Sequence, residues 1–161
     1  MCFQVYLGSS TECPEIPYID RPIEPNPSGA PLWTDLFVHK HPENSGFSGT
    51  VPGLTTPYQY RLGIMPCGCG FQYTYPYGDD EDIDPAHRQL GDYLASCIER
   101  SQPLELYSFW DSDYDKPVEH HQRIIYDELY NPKFYFKERQ LTLVYKDEQS
   151  IVALGDNSPV T

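Results

Sequence analysis

Apolar and polar residues alternate with a period of two in several stretches of the chain. Phe3, Val5 and Leu7 alternate with Cys2, Gln4 and Tyr6, which predicts a strand over 2–8 ended by Gly8-Ser9-Ser10-Thr11. Tyr58, Tyr60, Leu62 and Ile64 alternate with Gln59, Arg61, Gly63 and Met65, and Phe71, Tyr73 and Tyr75 repeat the pattern, predicting strands at 58–65 and 71–75. These two would form a β-hairpin. Leu104 to Trp110 reads as a central strand because of its aromatic load, and 134–145 as the closing strands. Leu32 to His39 could hold one further short strand.

The period changes after Asp84-Pro85, a good N-cap followed by a proline suited to the first helical turn. Leu90, Leu94, Cys97 and Ile98 then recur at helical spacing, predicting a helix over 85–101 that Pro103 stops. Glu119 to Tyr130 suggests a shorter helix with Ile125 and Leu129 facing inward. The fold class is therefore α+β: a single mostly antiparallel sheet, one principal helix on one face, and a long proline-rich loop. Most of the sixteen prolines fall in 14–57, so that segment reads as a wrapping loop or a lid, while 156–161 reads as a frayed tail.

At 161 residues the chain is long enough to bury one substantial core, and a single domain over 1–161 is expected. A net charge of −13 argues against nucleic acid and against anionic membrane as partners, and leaves a basic protein partner open. No run approaches the roughly 20 apolar residues of a membrane span, and the start lacks the basic, apolar layout of a secretory signal. Five cysteines, Cys2, Cys13, Cys67, Cys69 and Cys97, are an odd number without a secretion signal. Reduced thiols in a cytoplasmic protein are the expectation.

Cys67-Gly68-Cys69-Gly70 is the stretch whose residue types suit chemistry. In an extended chain, residues i and i+2 point the same way, so the sulfurs of Cys67 and Cys69 could grip one ion. Gly68 and Gly70 leave the backbone free to approach a ligand or a neighbouring strand. Thiolates favour zinc and other soft metals, and a closed zinc site takes four ligands. Cys2 is the expected third if the first strand lies beside the hairpin; Cys13 or one of His39, His41, His120 and His121 could be a fourth. The competing readings are a tight glycine turn with incidental thiols, an acidic protein-binding or inhibitory protein without catalysis, and a cysteine-nucleophile enzyme using Cys2 with its own amine as base. Asp111-x-Asp113-x-Asp115 resembles the start of a calcium loop, but Lys116 stands where glycine is required and Gln122 where glutamate is.

The opening Met-Cys, the Tyr-Leu-Gly-Ser strand end, Pro14-Glu15-Ile16-Pro17, the central Cys67-Gly68-Cys69-Gly70-Phe71 and the closing Phe134-Tyr135-Phe136-Lys137-Glu138-Arg139 together resemble a family of small uncharacterised bacterial proteins. That resemblance implies a free-standing bacterial cytosolic domain and carries no activity with it.

Overall fold

The structure is a computed structural model that describes residues 2–18, 36–41, 49–64, 68–71, 85–131 and 133–155. Six strands form one sheet: β1 (Phe3–Ser9), β2 (Phe37–Lys40), β3 (Tyr58–Gly63), β4 (Leu104–Trp110), β5 (His120–Ile125) and β6 (Gln140–Tyr145). Their spatial order is β2-β3-β1-β4-β6-β5. Every pairing is antiparallel except β5 with β6. Helix α1 spans Pro85–Ile98 and α2 spans Glu148–Gly155. This is the expected α+β architecture with one principal helix.

Strand parity sorts the side chains of β1. Phe3, Val5 and Leu7 share a core cluster with Leu90, Leu94, Cys97 and Ile98 of α1, all essentially buried. The helix therefore covers the odd-numbered face of β1, as its stripe requires. The other face carries a smaller cluster of Tyr6, Tyr107, Phe109, Val51 and Leu54. Tyr6 and Phe109 stack there with ring centroids 5.7 Å apart. Loop 49–57 is fixed over that face by Glu105, a buried carboxylate on β4. It accepts the amides of Thr55 (2.8 Å) and Thr56 (3.2 Å) and the hydroxyls of both residues.

The fold departs from the expected elements in four places. Residues 119–130 form β5 and a 3₁₀ turn, Tyr126–Tyr130, instead of a helix. Ile124 and Ile125 are β-branched, and pairing beside Val144 and Tyr145 of β6 outweighs the weak helical spacing. Phe134 and Phe136 are buried while Tyr135 is exposed, so their alternation is real but belongs to a segment outside the sheet ladder. Phe71 lies in a 3₁₀ turn, Gly68–Phe71, where a hairpin strand was expected. Helix α2 has no counterpart in the expected elements. The strand expected beyond Phe71, much of the proline-rich segment, Cys67 and the tail from Asp156 lie outside the described residues.

Candidate functional site

The ladder between β1 and β3 sets up the site. Its last pair is Val5 with Leu62, so the edge of β1 before Val5 has no β3 partner. The Cys2 carbonyl accepts the Asp111 amide on the β4 side (3.0 Å). In a trans peptide the next N–H, that of Phe3, points the opposite way, into the vacated β3 side. The Gly68–Phe71 turn fills that space. Phe3 N–H donates to the Cys69 sulfur at 3.3 Å, so a thiol takes the place of the missing strand carbonyl.

Gly68 explains how the turn gets so close. A Cβ at this position would stand 2.9 Å from Val5 N and 3.0 Å from Phe3 O, both backbone atoms of β1. Only glycine fits flush against a strand in this way. Phe71 anchors the other end of the turn, fully buried against His87 and Phe136. Residues two apart in a 3₁₀ turn diverge, because each residue advances the helix by about a third of a turn. Shared strand parity therefore does not govern Cys69 and Phe71.

Cys2 is held from the β4 side. Its amide donates to Asp111 Oδ2 (3.0 Å), and Asp111 Oδ1 accepts Gln4 Nε2 (2.6 Å). Gln4 Oε1 in turn accepts Arg61 Nε (3.0 Å). The Cys69 sulfur touches the peptide nitrogen that follows Cys2. Adding about 2.4 Å across that peptide puts the Cys2 Cα within about 6 Å of the sulfur. By strand alternation Cys2 belongs with Gln4 and Tyr6, while Cys69 packs against the helix-side core, so the two flank the free edge of β1.

The other candidates lie elsewhere. Cys13 follows the opposite end of β1, about 20 Å from its start. His39 accepts the Tyr18 amide at 3.1 Å, and His41 bonds the Gly49 carbonyl at 2.5 Å. His120 and His121 are exposed on β5, an edge strand, where neighbouring side chains point to opposite faces. Among the described residues no group of three or more His, Cys, Asp or Glu gathers to hold a metal. The described part of the site is thus the pair Cys2 and Cys69. Asp111, its tether, entered the sequence reading only as the first residue of a run that resembles a calcium loop.

A second thiol pair escaped the sequence reading. Cys13 and Cys97 are both buried in the helix-side core cluster. The influence of Cys97, followed by burial, holds the Cys13 thiol above the ordinary thiol range. The influence of Cys13 holds Cys97 below it, against the opposing effect of burial. The only available signal was Cys97 on the apolar stripe of α1, which reads equally well as packing.

No family model matches the chain, and no curated protein or solved structure does either. Among the described residues, no helix is long and apolar enough to cross a membrane.

Proposed function

We propose that this chain is a small thiolate-bearing domain that holds a soft metal ion, zinc foremost, at Cys69. Cys2 and Cys67 are its further ligands, and Gly68 and Gly70 shape the turn. The observation that carries the reading is the 3.3 Å contact from Phe3 N–H to the Cys69 sulfur, which sets that sulfur within about 6 Å of the Cys2 Cα across the edge of β1. The acidic turn Asp111–Asp113, tied to Cys2 through Asp111, adds a field that attracts cations to this end of the sheet. With three thiolates, one position stays open for water or a partner's group. Such a site suits the cytoplasm, where thiols stay reduced.

Cobalt(II) titration of the reduced chain tests this, because cobalt bound by thiolates absorbs through sulfur-to-metal charge transfer. The band should saturate at one equivalent and vanish in Cys69→Ser. Absence of the band in the unmodified chain would refute the proposal. A second reading, recognition of a basic protein partner, is favoured by the net charge of −13 and predicts an affinity that falls steeply with salt.

A further inference from the structure

Strand β5 is the last of the sheet, and a cleft of about 520 Å³ opens beside it. Residues 119–122 all line this cleft. Successive side chains of a strand point to opposite faces, so contact with all four places the cleft along the strand's edge. The facing wall is the segment after the Tyr126–Tyr130 turn. Asn131 fixes its start: its carbonyl accepts Phe134 N–H and its Oδ1 accepts Lys133 N–H, both at 2.9 Å. Phe134 and Phe136 are buried edge-to-face against each other and against His87 of α1, which leaves Lys133, Tyr135 and Lys137 exposed at the alternate positions. All three line the cleft. At its base lies Gln140, only 3% exposed, whose Nε2 donates to Gln122 Oε1 (2.8 Å) and whose Oε1 accepts Lys137 N–H (3.1 Å). That one side chain ties strand to wall, so the cleft is formed before anything enters it.

The charge around the cleft runs against that of the chain. Residues 116–146 carry six of the eleven Lys and Arg but only four of the twenty-four Asp and Glu. Two carboxylates line the cleft: Glu119, which Arg139 engages at 2.5 Å, and Glu128. Lys133 and Lys137 take part in no ion pair among the described residues, and Gln122 Nε2 makes no hydrogen bond among them. Two uncommitted ammonium groups beside an amide donor suit an anion. We propose that this cleft binds a small phosphomonoester, its phosphate held by Lys133 and Lys137 and its organic part lying against Tyr135. A phosphomonoester carries about two negative charges at neutral pH, which the two lysines match. Lysine serves phosphate as a point charge, whereas a carboxylate is better matched by a bidentate arginine, and Arg139 is already taken. The volume falls within that of small-molecule sites. An added peptide strand fits less well, because the three β5 residues on the cleft span only about 10 Å. No residue of the thiolate site takes part, so the cleft works whether or not a metal binds at Cys69.

The test is a titration of the isotope-labelled, reduced full chain with phenyl phosphate, a probe that joins a phosphomonoester to one ring, followed by the NMR shifts of the backbone amides. Saturable shifts are expected at residues 120–122, 133–137 and 140. Replacing both lysines, Lys133→Ala with Lys137→Ala, should weaken binding at least about tenfold, and since both are exposed the spectrum should otherwise stay that of the folded chain. Glu128→Gln removes the opposing carboxylate and should tighten binding. Phenol, which keeps the ring and lacks the phosphate, should give no saturable shift. The proposal is overturned if the parent shows no saturable shift at these residues, if the double lysine variant binds as tightly as the parent, or if phenol binds equally well. It is also overturned if an extended acidic peptide of alternating Glu and Val binds along β5 more tightly than phenyl phosphate, which would make the edge a protein-docking strand.

Discussion

Gly68→Ala tests the seating of the site on β1. The added Cβ would lie 2.9 Å from Val5 N, 3.0 Å from Phe3 O and 3.1 Å from Val5 Cγ2, where ordinary contacts are 3.4–4 Å. Two of those atoms are backbone of β1, which is paired to β3 and β4, so the strand does not yield and the turn must back away by about half an ångström. Gly68 does not have a positive φ, so the cost is packing and not backbone strain. Overpacking of this kind costs about 1–3 kcal/mol. Weakening the Phe3 N–H to Cys69 bond adds about 1 kcal/mol. For a chain of this size the sum of about 2–4 kcal/mol lowers Tm by roughly 5–15 °C. Thermal unfolding followed by circular dichroism measures that loss. Alkylation of Cys69 in the metal-free protein should speed up alongside it, with buried Cys97 as an internal reference. A Tm within about 1 °C of the parent, with unchanged Cys69 reactivity, would refute the close contact.

Three other outcomes follow from the core and the buried polar groups. Leu94→Asp puts a charge into the fully buried helix–sheet interface and should cost at least about 4 kcal/mol, leaving the chain largely unfolded; unchanged denaturation by urea would show that α1 does not face the sheet there. Glu105→Gln turns an amide donor toward the donors of Thr55 and Thr56 and should cost about 2–4 kcal/mol, with faster hydrogen exchange at both amides; slow exchange would contradict the tether. Burial pushes Tyr6 up from 10.0 to about 12, so the folded chain keeps a proton that the unfolded chain loses between those values. Stability is then fully present below pH 10 and falls as pH rises toward 12, by about 2–3 kcal/mol from Tyr6 alone, with Tyr60, Tyr93 and Tyr107 shifted the same way by burial. Equal urea midpoints at pH 9 and pH 11 would disprove it.

How much could be read from the residues depends on where the deciding interaction lies. Strands β1, β3 and β4 and helix α1 carry their own signals: alternation or a dense apolar run, bounded by Gly8-Ser9, Pro103 and Asp84-Pro85. β5 does not, because His120-His121-Gln122-Arg123 reads as polar surface until β6 offers it a parallel ladder. Cys-Gly-Cys-Gly fits a strand or a 3₁₀ turn equally well. The choice is made by Gly68 lying against the backbone of Phe3 and Val5, a contact no local pattern encodes. The seating of the Cys13–Pro14 segment depends on Tyr60 and Tyr93, each far from it in sequence, so no spacing rule finds it. Glu105 was placed correctly on its strand, but the four donor groups that Thr55 and Thr56 bring to it come from the tertiary fold.

The central claim is a metal held by thiolates at the start of β1. Elemental analysis of the anaerobically purified chain, beside a Cys67→Ser, Cys69→Ser double variant, tests it most directly. The account predicts close to one equivalent of zinc or another thiophilic metal in the parent and none in the variant, with Cys2→Ser intermediate because it removes one ligand and leaves two. A folded parent that carries no metal and takes up none when zinc is supplied would contradict it, and Cys69 would then be a strand-capping thiol and nothing more.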